Sequence, residues 1–159
     1  MKLTKLIAIV VFVSVFLSIT SCSSNVVFDE NVAVNEAGWD KNDVARFDVV
    51  IEDSINAFDY YLNIRHTVDY RFSNLFVFMN TTYPNGNISV DTIEFVLADK
   101  SGKWHGKGWG EIKDNSVLLV KGIKFPLKGS YTFQIRHAMR VDTLKEISNI
   151  GIRIEKTDN

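Results

Sequence analysis

The sequence predicts an all-β protein: a single antiparallel β-sandwich of jelly-roll or immunoglobulin-like type, carried behind an export leader. Three observations predict it. Apolar residues recur at every second position in run after run, the period of a half-buried strand. Clusters of Gly, Asn, Pro and Asp separate those runs at turn-like spacing. The chain opens on a short basic start, an apolar run and a single cysteine, and the remaining residues have the length of one domain.

Lys2 and Lys5 form the basic start, and Leu6 to Ile19 is an apolar run of 14 residues broken only by Ser14 and Ser18. A membrane span needs roughly 20 such residues, so this run fits the apolar region of a signal peptide. The next residues, "ITSC" ending at Cys22, place a bulky aliphatic residue and two small ones before a cysteine. This resembles a bacterial lipobox, which implies cleavage before Cys22 and acylation of that residue, palmitate included. The alternative is an ordinary secreted protein with an incidental cysteine. Cys22 is the only cysteine, and a lone cysteine in an exported chain has no disulfide partner.

The expected organisation is a signal peptide over 1–21, a lipidated tether over 22–27 and a β-sandwich over 28–157. Removing 21 of 159 residues leaves 138, and the loss of Lys2 and Lys5 takes the formal net charge from −1 to −3. That balance offers no basic surface for nucleic acid. The tether "SSNVV" spans roughly 16–18 Å when extended, which holds the domain close to its membrane.

The strands come in order along the chain. Phe47, Val49 and Ile51 alternate with Asp48, Val50 and Glu52, and Tyr60, Leu62 and Ile64 alternate with Tyr61, Asn63 and Arg65. "LFVFMNTT" from Leu75 is apolar on both faces and reads as a central or covered strand. Ile93, Phe95 and Leu97 mark the next strand, and "VLLVKGIKF" from Val117 another, with Gly122 a candidate bulge. Tyr131, Phe133 and Ile135 and then Ile150, Ile152 and Ile154 complete the set. Phe47, Leu62, Ile64, Leu97, Phe133, Ile135 and Ile152 are the expected core. "YPNGN", "DKSGK", "KDNS" and "LKGS" supply the turns. The one helical candidate is "AMRVDTLKEI", a single short helix near 138–147 at most.

The stretch "SGKWHGKGWGE", Ser101 to Glu111, is the most unusual in composition. It contains Gly-x-Gly-x-Gly, yet a phosphate-binding loop leads from a strand into a helix, and here both flanks read as strands. A sugar-binding platform on Trp104 and Trp109 is a second reading. The two differ by five positions, so in one regular strand they face opposite ways unless a bulge intervenes. The plainer alternative is a bulged hairpin, with one indole in the core and the other lidding an end.

No other pattern carries chemistry. His66, His105 and His137 form no metal-binding spacing, so no metal and no cofactor are expected. Asp48, Glu52, Asp53, Asp91, Glu94 and Asp99 include no pair marked as acid and base. His66 alternates inward and reads as a hydrogen-bonded core histidine. Arg136 and Arg140 are candidate partner-binding residues, with structural ion pairs as the alternative.

In combination, "DYRFSNLFVF", "DTIEFVLADKSGKWHGKGWGE", "GSYTFQIRHAMR" and "ISNIGIRIE" resemble the GldH gliding-motility lipoproteins of Bacteroidetes. The resemblance implies a non-enzymatic envelope lipoprotein that supports gliding components linked to type IX secretion. It carries over no catalytic residue, and it implies that Trp104, Gly106, Gly108, Met139 and Arg140 belong to shared motifs. A carbohydrate-binding outer-membrane lipoprotein is the alternative function. Ser23 and Ser24 after the cysteine favour the outer membrane, and the absence of an acid in "SSNVV" favours its periplasmic face. "DSI", "DTI" and "DTL" resemble the O-glycosylation motif of exported Bacteroidetes proteins, which makes Ser54, Thr92 and Thr143 candidate acceptors. Thr92 and Thr143 are expected beside element ends, with Thr92 outward.

Overall fold

The computed structural model of the protein describes residues 25–158. The expected signal peptide and Cys22 lie outside the described residues. Eight long strands form two antiparallel four-stranded sheets. One sheet is ordered β1 (Val26–Ala33), β10 (Ile147–Lys156), β4 (Phe58–Thr67), β7 (Ile112–Ile123). The other is ordered β3 (Ala45–Ile51), β8 (Gly129–His137), β5 (Asn74–Thr82), β6 (Ile88–Val96). A two-stranded ribbon, β2 (Trp39–Asp40) with β9 (Thr143–Leu144), closes one end.

The pairing is nested. Among the long strands the first pairs with the last (β1 with β10), β3 with β8, β4 with β7 and β5 with β6. A long hairpin rolled so that its strands are shared between two sheets is a jelly roll, which decides between the two sandwich types. Alternation sets the faces: Phe47, Leu62, Ile64, Leu97, Phe133, Ile135 and Ile152 are each 2% exposed or less. Rings meet across the two layers, Tyr60 with Phe133 at 5.3 Å between centroids and Phe28 edge-on to Phe47 at 6.5 Å. β5 is an interior strand, as its two apolar faces require. Gly122 sits in a register shift between β4 and β7, with φ 67° and its N–H donated to Asp59.

Two boundaries differ from the sequence expectation. β1 starts at Val26, so Val26 and Val27 are strand rather than tether. The segment near 138–147 is not helical: it is a turn followed by β9. Leu144 is buried by pairing with Trp39, Glu146 adopts φ 70°, and the Glu146 carbonyl accepts from the Thr67 N–H at 3.0 Å. These long-range contacts outweigh the weak local helical pattern.

Antiparallel register gives the sandwich two distinct ends. Val26, Lys156 and Phe58 lie together at the end where β1 starts. Ala33, Thr67 and Ile112 lie at the other. At strand rise the 10 residues of β4 separate the ends by roughly 30 Å.

Candidate functional site

The Ser101–Glu111 stretch sits at the end opposite the start of β1. It is built in two parts. Asp99 first fixes a tight turn, accepting from Ser101 N–H (2.8 Å), Ser101 Oγ (2.6 Å) and Lys103 N–H (3.0 Å). Those bonds, the Ser101 hydroxyl foremost, hold the Asp99 carboxyl below its usual range. The chain then passes from Trp104 to Lys107 through a bend at Gly106. It bridges Ala98 at Trp104 and Asp114 of β7 at Lys107.

Alternation places Trp104, and the glycine turn that follows places Trp109. Trp104 turns inward, 4.6 Å from the His66 ring and 6.4 Å from Tyr70. Gly106 is also inward, where a Cβ would press on the Asn115 amide. The hairpin then folds back through Gly108 (φ 147°) and Gly110 (φ 61°), which flank Trp109. A Cβ on Gly108 would overlap the Ile112 carbonyl, so the close return of the chain requires glycine there. Trp109 itself is 97% exposed. One indole therefore joins the core, as the hairpin reading expects, but the other lids nothing and stands in solvent. No aromatic contact joins the two.

The remaining candidates are dispersed. Arg136 points outward from β8 with its guanidinium 5.2 Å from the centre of the Phe78 ring, a cation–π contact. Arg140 is exposed in the turn after β8, at the same end as Trp109. Among the described residues, neither arginine has a carboxylate within ion-pair distance. Thr92 is exposed, but it lies in the middle of β6 opposite Phe78 rather than at an element end. Thr143 is exposed in β9, and Ser54 is half-buried in the β3–β4 loop.

The histidines carry information that alternation only half supplied. His66 is fully buried, and its Nδ1 donates to the Thr67 carbonyl at 2.8 Å. Its Nε2 has no hydrogen-bond partner. His137, 2% exposed, packs on Trp39 at 5.5 Å between ring centroids. Burial pushes both imidazoles below their usual pKa. Of the acids singled out by sequence, Asp48 binds Arg46 and Thr132, Asp53 caps its own loop, and Glu94 accepts from Asn74. Among the described residues no three His, Asp or Glu converge as a metal set.

A β-sandwich with one exposed hairpin is the class that this fold defines. The GldH lipoprotein family profile matches residues 26–154, so the chain belongs to that family. It is 33% identical over 159 residues to the gliding motility lipoprotein GldH homolog of Christiangramia forsetii, covering 96% of this chain and 97% of that one. It is 34% identical over 145 residues to gliding motility lipoprotein GldH of Flavobacterium johnsoniae, covering 87% and 89%. Solved structures match only loosely. A fructofuranosidase from Schwanniomyces occidentalis aligns at TM-score 0.40 and 13% identity, over 87% of this chain and 35% of that one. Dimeric latent PorU from Porphyromonas gingivalis aligns at TM-score 0.33 and 8% identity, over 86% and 14%.

Proposed function

We propose that this chain is a non-catalytic outer-membrane lipoprotein, acylated at Cys22 and facing the periplasm. In this reading it supports the assembly or stability of gliding and type IX secretion components. The named relatives are gliding motility lipoproteins, which supports the motility setting. The observation that carries the mechanism is the separation of the two ends. β1 starts at Val26, so a tether from Cys22 reaches one end of the sandwich, and Trp109 and Arg140 stand at the other. The domain would then act as a spacer that holds an exposed indole and a cation roughly 30 Å from its attachment. Exposed tryptophan and arginine at one end of a domain are residue types enriched in interface hot spots.

Crosslinked envelope from cells carrying the native chain, Trp109→Ala and Cys22→Ala tests this. The native chain is expected to co-purify with envelope partners. Trp109→Ala is expected to lose them while remaining in the membrane fraction, and Cys22→Ala to leave the detergent phase. A Cys22→Ala chain that still partitions with detergent would refute the anchor. Unchanged co-purification with Trp109→Ala would refute the docking end. Digestion of the domain by protease on intact cells would refute the periplasmic orientation.

A further inference from the structure

The hairpin also borders a groove. The Lys107–Asp114 bridge ties it to β7, an edge strand of the β1-β10-β4-β7 sheet, while the His105 N–H donates to the Leu97 carbonyl at 2.8 Å. With Trp104 and Gly106 turned inward, His105 and Lys107 fall on the outer face. One row of that face runs from Asn31 over Gly151 to Asn63 and Ser116. His105, Lys107 and these residues border a groove of about 560 Å³ across the sheet. That volume lies within the range of small-ligand sites, roughly 300–1,000 Å³.

The floor of the groove is defined by what is missing from β10. A Cβ on Gly151 would overlap the Asn31 amide and the Glu30 carbonyl, so the Asn31 side chain lies across the strand in the space that glycine leaves. Asn63 donates to Asp29 at 3.2 Å and accepts from Ser116 Oγ at 2.9 Å. This chain of amide, carboxylate and hydroxyl still has lone pairs and N–H groups free on its outer side. Val96, 58% exposed, adds an apolar edge.

Charge selects the ligand class. Arg65 and Asp114 pair at 2.6 Å inside the groove, and Lys107 and Asp29 add one further charge of each sign. The site is therefore balanced, with nothing to draw in a polyanion or a polycation. Paired donors and acceptors beside an apolar edge match vicinal hydroxyls and the C–H face of a sugar ring. We infer that this groove binds a neutral oligosaccharide, held chiefly by Asn63, Ser116 and His105. The site is separate from the exposed Trp109, and it does not depend on the docking role assigned to that residue.

The test is an array of neutral oligosaccharides of two to six residues, in the gluco, manno, galacto and xylo series. Uronate and sulfated counterparts stand beside them. The full-length lipoprotein is presented in a sugar-free zwitterionic detergent. Retention of at least one neutral series is expected, weakened at least tenfold by Asn63→Ala and by His105→Ala and unchanged by Trp109→Ala. His105 is exposed, so its variant keeps the test open if Asn63→Ala perturbs the sheet. Failure to bind any neutral series overturns the inference. So does tighter binding of the charged counterparts, or neutral binding that survives His105→Ala and is lost with Trp109→Ala.

Discussion

At the end where β1 starts, four rings lock the sandwich in sequence: Phe58 on Phe125 (5.5 Å), Phe125 on Tyr131 (5.1 Å) and Tyr131 on Tyr83 (5.5 Å). The Tyr131 hydroxyl is satisfied twice by Leu127, donating to its carbonyl at 2.9 Å and accepting its N–H at 3.2 Å. The opposite end is also aromatic, with Trp39, Tyr70 and Trp104, but its rings pack on two buried histidines that keep unpartnered nitrogens. It also projects Trp109 into solvent. One end is closed and satisfied. The other keeps polar groups without partners and an apolar one without cover, which is where a partner or a proton has something to change.

Breaking the closed end has the largest expected effect. Phe58 is 1% exposed, and Phe58→Ala should cost about 3–5 kcal/mol by urea denaturation. It should leave the environment of the three tryptophans unchanged in the residual native state, since Trp39, Trp104 and Trp109 all lie at the far end. A loss below about 1 kcal/mol would show that the ring chain does not hold that end.

Much of this architecture is legible in the sequence. Alternation assigns the buried face of β3, β4, β8 and β10 because each such strand has one face on the core and one in water. It cannot choose between a jelly roll and an immunoglobulin-like sandwich, because nested pairing is a long-range property that no local run encodes. β1 is less legible for another reason: it is an edge strand, and "VVFDENVA" fully buries none of its apolar residues. The same limit hides the candidate groove. Its residues come from β1, β4, β6, β7, β10 and the hairpin, and Asn31, Asn63 and Ser116 each alone read as ordinary outward polar positions. Trp109 is obscured differently, since alternation stops at the glycines that flank it.

A pH titration separates the ends next. Burial depresses the pKa of His66 and His137 below 6.5 in the folded protein. Depressed groups contribute stability that is fully present above the unfolded pKa and is lost as pH falls through the folded value. The far end should therefore weaken below about pH 6.5. Asp53 at the closed end is held at about 2 by Asn56 and the Ile55 and Asn56 N–H groups. Its contribution survives until the pH falls below 3.8. Tryptophan emission should thus change as the pH falls below about 6.5 while the tyrosine signal of Tyr83 and Tyr131 does not, and His66→Gln should shrink the change. Coincident loss of both signals would erase the distinction between the ends.

A smaller effect is expected at the hairpin itself. Gly108→Ala must shift the chain away from the Ile112 carbonyl and hold φ near 147° against its preference. The cost should be on the order of 1–3 kcal/mol, confined to the hairpin. Hydrogen exchange should accelerate at Lys107 and Asp114, whose N–H groups donate to each other's carbonyls at 2.9 and 2.7 Å. Protection elsewhere should be unchanged, and faster exchange across β4 and β10 would mean that the hairpin is part of the core rather than an appendage to it.

The smallest stability effect is the most informative. Trp109 is 97% exposed, so Trp109→Ala removes almost no buried area and should change stability by less than about 0.5 kcal/mol. Trp104→Ala, five residues earlier, removes a ring packed on His66 and Tyr70 and should cost several times as much. If Trp109 serves docking, its variant should impair gliding as fully as the destabilised Trp104→Ala chain does, with native stability. Motility assays beside melting curves of the two variants decide this. Full gliding with Trp109→Ala would leave the exposed indole without a role in motility, and the open end of the sandwich would then be open to solvent alone.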